Sequence, residues 1–238
     1  MPAKLPRLLS LIGACLLVLC AHVQADASDP ALASVFSQTG SKGVFVLYDL
    51  QSKNLRVSDP QRAKQRFTPA STFKVLNALI ALQTGVVSGP DEIFKWDGQP
   101  RFIKSWQRDL SLTEAMGESA VPVYQEVARR IGQHSMQRYV TASDYGNHNI
   151  GKQIDRFWLD GPLAISAHEQ VRFIAALVQN QLPFDPAVQA HVRAMLPSEK
   201  TLITSCLARP AGPPTSSRRW AGTAAGSNAP TASASSLP

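Results

Sequence analysis

The sequence predicts an α/β chain of the α+β kind, an antiparallel hairpin near the N-terminus followed by a succession of helices. Three observations carry this. Gly43–Asp49 is β-branched and aromatic and, after a short turn, meets a second extended segment at Leu55–Val57. From Ser71 to Leu196, apolar residues recur at helical spacing in segments bounded by proline, glycine and capping serines. Apolar residues make up 44% of the 238, enough for one fair-sized domain with a real core.

Residues 1–25 carry the marks of a secretory signal: Lys4 and Arg7 at the start, an apolar stretch from Leu8 to Cys20, and Val23-Gln24-Ala25 as a cleavage site before Asp26. The apolar stretch is short for a membrane span, so no stable membrane insertion is expected after cleavage. Cys15 and Cys20 leave with the signal, and Cys206 alone cannot form an internal disulfide. Such a chain suits the bacterial periplasm as well as any other oxidising space, because the core by itself must hold the fold. Of the net charge of +7, +2 lies in the signal and +3 after residue 196, leaving +2 for the domain between. That is no footprint for a nucleic acid. His134, His148, His168 and His191 are scattered without ligand spacing, and no metal is expected.

In order along the chain, Ala31 to Phe36 begins a helix closed by Gly40, and the hairpin follows. Gln61 to Arg66 is a polar connection into a helix that opens at Pro69 and stops at Gly85. Pro90 to Pro100 is loop, with Phe94 and Trp96 packed inward. Leu110 to Met116 is a short helix with Ser111 as cap. Pro122 opens a helix over Val123–Ile131 that Gly132 ends. Tyr145-Gly146-Asn147 forms a turn in a polar loop. Phe157 to Leu163 is an apolar loop, where the indole N–H of Trp158 needs a buried partner. Ser166 caps an amphipathic helix to Gln179, and a last helix runs from Pro186 to Leu196.

Chemistry is concentrated in Pro69-Ala70-Ser71-Thr72-Phe73-Lys74. On a helix, Ser71 and Lys74 share a face within side-chain reach, a hydroxyl beside a group that can take its proton. The helix N-terminus adds backbone N–H groups for an oxyanion. An ordinary capped helix with Lys74 in solvent accounts for the same residues, so the motif alone leaves both open. Ser119 lies on the loop before Pro122, either facing a cleft or merely capping the helix.

Ser71-Thr72-Phe73-Lys74, Ser119-Ala120-Val121, Tyr145-Gly146-Asn147 and Trp158-Leu159-Asp160-Gly161, in this order and with Asn77 in context, resemble one family. It is the class D, oxacillin-hydrolysing serine β-lactamases, relatives of the penicillin-binding proteins. The resemblance covers residues 30 to 196. It implies a β-lactamase/transpeptidase-like fold, a helical region packed on an antiparallel sheet. It also implies that Ser71 attacks the lactam carbonyl and that Ser119 passes the proton to the lactam nitrogen. Lys74, carboxylated by carbon dioxide, would be the general base for acylation and deacylation. Burial among apolar groups would provide the unprotonated amine this needs. Phe73, Val121 and Leu159 would line that pocket, and the Trp158 N–H would hold the carbamate. Tyr145-Gly146-Asn147 would shape the cleft, with Asn147 mainly structural. The expected substrate-binding residues are Val121, Tyr145 and Trp158, and the expected partners are β-lactam small molecules. No cofactor beyond carbon dioxide or bicarbonate is implied.

The family also carries a Lys-Thr-Gly strand, which with its neighbours completes the sheet. After Leu196 the composition turns instead to Pro, Ser, Ala, Gly and Thr, and Lys200-Thr201-Leu202 lacks the glycine. Residues 197–238 are therefore expected to be an aberrant, disordered tail, with 26–196 an incomplete domain whose C-terminal strands are missing. A frameshift is the expected cause: one choice of codons for Thr204 to Gly222, read from the third base of the Thr204 codon, encodes Lys-Thr-Gly-Trp. The expected function is β-lactam hydrolysis through a serine acyl-enzyme, which the altered C-terminus could abolish. Two other outcomes stay open: a penicillin-binding sensor or transpeptidase-like protein that acylates without turnover, and a misfolded, non-catalytic remnant.

Overall fold

The computed structural model describes residues 28–196. The expected signal at 1–25, Cys206, and the expected tail at 197–238 with its expected frameshift lie outside the described residues. Asp29 opens the domain with two interactions. Its carboxylate accepts from the backbone N–H groups of Ala31 and Leu32, capping α1 (Pro30–Thr39), and pairs with the Arg56 guanidinium at 2.6 Å. The hairpin is real but shorter than Gly43–Asp49: β1 (Val46–Tyr48) pairs antiparallel with β2 (Leu55–Val57), Val46 facing Val57.

The expected polar connection is instead a helix, α2 (Pro60–Lys64), then a short strand, β3 (Arg66–Phe67). Asp59 accepts from the N–H groups of Gln61 and Arg62, and Pro60 starts the first turn, so a capped nucleus forms without an apolar stripe. A 3₁₀ turn, Ala70–Phe73, then runs into α3 (Lys74–Thr84), closed by Gly85. Eight of the eleven residues of α3 are buried, Lys74 to Ala81 in an unbroken run. A helix apolar nearly all round belongs at the centre of a core, and this one does.

β4 (Ile93–Phe94) pairs with β5 (Leu110–Ser111). Phe94 is buried as expected. Trp96 is not: it is 38% exposed, and its indole N–H is satisfied at the surface by the Gln99 carbonyl. Ser111 and Glu114 form a reciprocal capping box that starts α4 (Leu112–Gly117). α5 (Val121–Ala142) is two helices meeting at a kink: the first ends at Gly132 as expected, where φ 73° and ψ 162° are non-helical, and a second, not foreseen, runs on to Ala142. Met136 and Val140 continue the buried face of Val127 and Ile131, and that burial resumes the helix. β6 (Ile165–Ser166) returns to pair with β3, Arg66 facing Ser166. A second capping box, Ser166 with Glu169, starts α6 (Ala167–Val178), and α7 (Pro186–Met195) follows. α3 packs against both α5 and α7, while α6 packs against β1. All three ladders among the described residues are antiparallel and two-stranded.

Candidate active site

Ser71 sits in the 3₁₀ turn that opens α3, where the Thr72 N–H donates to the Pro69 carbonyl at 3.1 Å. The turn is entered through Ala70, held in the left-handed region at φ 48°. The Ala70 N–H donates to the Trp158 carbonyl at 2.8 Å, which ties the nucleophile's turn to the loop carrying Trp158. Lys74 begins the α-helical part and is buried, with 1% of its surface exposed. Burial pushes its amine down to about 7, so near neutral pH much of it carries no proton. The alternative of a solvated Lys74 is thereby excluded.

Ser119 closes the constellation. The Lys74 Nζ donates to the Ser119 Oγ at 2.6 Å, and the Ser119 Oγ donates to the Ser71 Oγ at 2.9 Å. A hydroxyl both donates and accepts, so with a neutral Lys74 the same chain can run the other way, from Ser71 through Ser119 to the amine. Ser119 is not the cap of α5, whose N-cap is Ala120. It stands at φ 56°, a left-handed backbone uncommon for serine, placed at a site as such strain often is. Helical spacing alone predicts Ser71 and Lys74 side by side on one helix face. The geometry instead joins them through Ser119.

Two loops form the walls beneath. In the first, Gly146 has φ 62°, and a Cβ there would lie 2.2 Å from the Ala164 carbonyl oxygen, so only glycine fits. That close approach lets the Asn147 N–H donate to the Ala164 carbonyl at 2.9 Å. The Asn147 side chain accepts from the Ala164 N–H at 3.0 Å and donates to the Pro162 carbonyl at 2.8 Å. In the second, a Cβ on Gly161 would meet the Phe157 backbone at 2.4 Å, so the chain can turn back tightly after Trp158. Phe73 stacks on Trp158 and meets Phe157 and Tyr145 edge-on, a buried aromatic block under the turn.

Of the expected substrate-binding residues, Val121 is half-buried at the first turn of α5. Tyr145 is fully buried: its hydroxyl donates to the Gln170 Oε1 at 2.9 Å, and burial pushes its ionisation up. It therefore supports the site from below and does not face an open cleft, because an aromatic ring between Phe73 and Phe173 gains more from the core. Trp158 is likewise fully buried, and its indole Nε1 has no hydrogen-bond partner. A missed neighbour is Tyr124, fully buried, whose ring centroid lies 5.9 Å from the Lys74 Nζ. Asn77 is also buried and donates to the Tyr124 carbonyl at 3.0 Å, tying α3 to the first turn of α5. The helical spacing from Lys74 to Asn77 was visible, but Tyr124 lies on another helix and no local pattern marks it. No group of His, Cys, Asp and Glu among the described residues could hold a metal ion.

A serine and a buried lysine joined through a second serine, on a helix backed by an aromatic block, define the class. Residues 32–215 match the penicillin binding protein transpeptidase domain, and the chain belongs to that family. Within it, the relatives are class D β-lactamases. The chain is 46% identical over 166 residues to β-lactamase OXA-5 of Pseudomonas aeruginosa, covering 70% of this chain and 62% of the relative. It is 44% identical over 158 residues to the probable β-lactamase YbxI of Bacillus subtilis, covering 66% of this chain and 59% of the relative. Its fold resembles the crystal structure of FUS-1 (OXA-85), a class D β-lactamase from Fusobacterium nucleatum, with a TM-score of 0.71 and 39% identity over 73% of each chain. The chain thus spans about three-fifths of the length of the curated relatives it matches.

Proposed function

We propose that this chain opens β-lactam rings through an acyl-enzyme on Ser71. The observation that carries the reading is the hydrogen-bonded series Lys74–Ser119–Ser71 with a buried amine, held near 7, at one end. The Ser71 Oγ attacks the lactam carbonyl carbon as its proton leaves along the series. The ring C–N bond breaks, and Ser119 delivers a proton to the departing nitrogen. Backbone N–H groups at the start of the helix favour the oxyanion. Water then attacks the ester and frees Ser71.

The residues fit carbon dioxide as an adduct of Lys74. An amine held near 7 is nucleophilic at neutral pH, and the unpartnered Trp158 indole N–H is a buried donor in want of an acceptor. When bound, carbon dioxide supplies a carboxylate-like general base; Lys74 would carry it and Trp158 would hold it. Export to the periplasm belongs to the same proposal, and no helix among the described residues is long and apolar enough to cross a membrane.

The test is nitrocefin hydrolysis by residues 26–238, with and without bicarbonate, beside a Ser71→Ala control. Turnover that depends on Ser71 and rises with bicarbonate is expected. A fluorescent penicillin that labels Ser71 permanently without turnover would replace the hydrolase by a protein that only acylates. Neither turnover nor labelling of soluble protein would overturn both.

A further inference from the structure

A cavity of about 400 Å³ opens between α6 and the β1–β2 hairpin. Its volume falls in the ordinary range for small-molecule sites, about 300–1,000 Å³. The helix contributes His168, Arg172, Ala175 and Gln179, spaced so that they form one stripe. Ala175 and its neighbour Ala176 are short, which leaves the room. The hairpin contributes Tyr48, Leu55 and Lys53, the last in the turn with a left-handed φ of 58°. Gln181 completes the lining, and no aspartate or glutamate takes part.

The charges are the telling feature. Arg56, Arg66, Arg101, Arg108, Arg129, Arg130 and Arg156 each pair with a carboxylate. Arg62 and Arg138 lie over aromatic rings, and Arg193 donates to the Leu177 carbonyl and the Asn180 side chain. Among the described residues, Arg172 is the arginine left without a partner, and Lys53 beside the same cavity has none either. The Tyr48 hydroxyl and the second N–H of the Gln179 and Gln181 amides, whose first N–H groups donate to the Ala175 carbonyl and the Gln179 Oε1, add neutral donors around them. Two unpaired cations and several neutral donors around a concave space with no acid make an oxyanion site.

We infer that this cavity binds a small anionic ligand, a phosphorylated or polycarboxylate compound, through Arg172 and Lys53. The site is separate from Ser71 and does not depend on its chemistry.

The test uses residues 26–238 with inorganic phosphate and citrate as probes, each against sodium chloride at equal ionic strength. Binding is read by thermal shift and, for phosphate, by ³¹P line broadening. The wild type should be stabilised by one or both probes beyond the chloride control, and whichever acts names the class. Removing one of two charge-assisted contacts should weaken that binding at least about tenfold in Arg172→Gln and in Lys53→Gln. Both variants should keep the wild-type melting temperature in chloride and the wild-type rate of penicillin labelling, which shows that they fold. Equal stabilisation of wild type and both variants, or none of the wild type by either probe, overturns the inference.

Discussion

Burying Lys74 has a thermodynamic consequence that a Lys74→Met variant exposes. Methionine keeps a long unbranched side chain in the same space but carries no titratable group. The folded amine is held at about 7 against an ordinary 10.5. The folded state therefore binds fewer protons than the unfolded one between those values, and stability rises with pH across that window. The cost of the buried amine is complete below pH 7 and gone above about pH 10.5. At pH 7 it amounts to about 4 kcal/mol at 1.36 kcal/mol per pH unit. Removing it also forfeits the hydrogen bond to Ser119, about 1 kcal/mol. Lys74→Met should thus be more stable than wild type by about 3 kcal/mol at pH 7, a large part of a domain's usual 5–15 kcal/mol or so. The measurement is urea denaturation in bicarbonate-free buffer at pH 7, 8, 9 and 10. The wild-type curve should climb toward the variant's as pH rises, while penicillin acylation by the variant is lost. Two curves that run parallel from pH 7 to 10 would refute the assignment of a buried, proton-poor lysine.

Three further outcomes follow from the same geometry. Ser119→Gly removes the connecting hydroxyl but suits the left-handed backbone at φ 56°, so acylation should fall about 100-fold or more while the melting temperature holds or rises. Gly146→Ala drives a Cβ against the Ala164 carbonyl and strains φ, and should cost about 2–4 kcal/mol in urea denaturation, with a loss of acylation rate as the Asn147 bonds shift. The gene should encode Lys-Thr-Gly-Trp in the frame that starts at the third base of the Thr204 codon; nucleotide sequencing decides it, and the absence of Lys-Thr-Gly from both shifted frames removes the frameshift.

What could be seen in the residues was local. Ser111 with Glu114 and Ser166 with Glu169 announce their helices because both halves of each capping box lie within four residues. The Ser71–Lys74 pair was visible for the same reason, and so was the position of Ser119 on a loop before a proline-opened helix. Contacts that span the chain were not visible. That Ser119 lies between Ser71 and Lys74 depends on α3 and α5 packing together. Tyr145 was expected at the cleft because the family resemblance implies it there, yet its ring is drawn inward by Phe73 and Phe173. α2 was missed because Arg62 and Lys64 mask a short helix that Asp59 and Pro60 nonetheless specify. The strands β3 and β6 are two residues each and exist only as partners of one another, which no local pattern reveals.

The central claim is that Ser71 is a nucleophile served through Ser119 by Lys74. Intact-mass spectrometry of residues 26–238 mixed with benzylpenicillin and acid-quenched during turnover, followed by peptide mapping, tests it most directly. A single added penicillin on Ser71, formed slowly in Ser119→Gly and absent in Ser71→Ala, is the result predicted here. An adduct that survives Ser71→Ala, or neither adduct nor turnover with folded wild type, would contradict it.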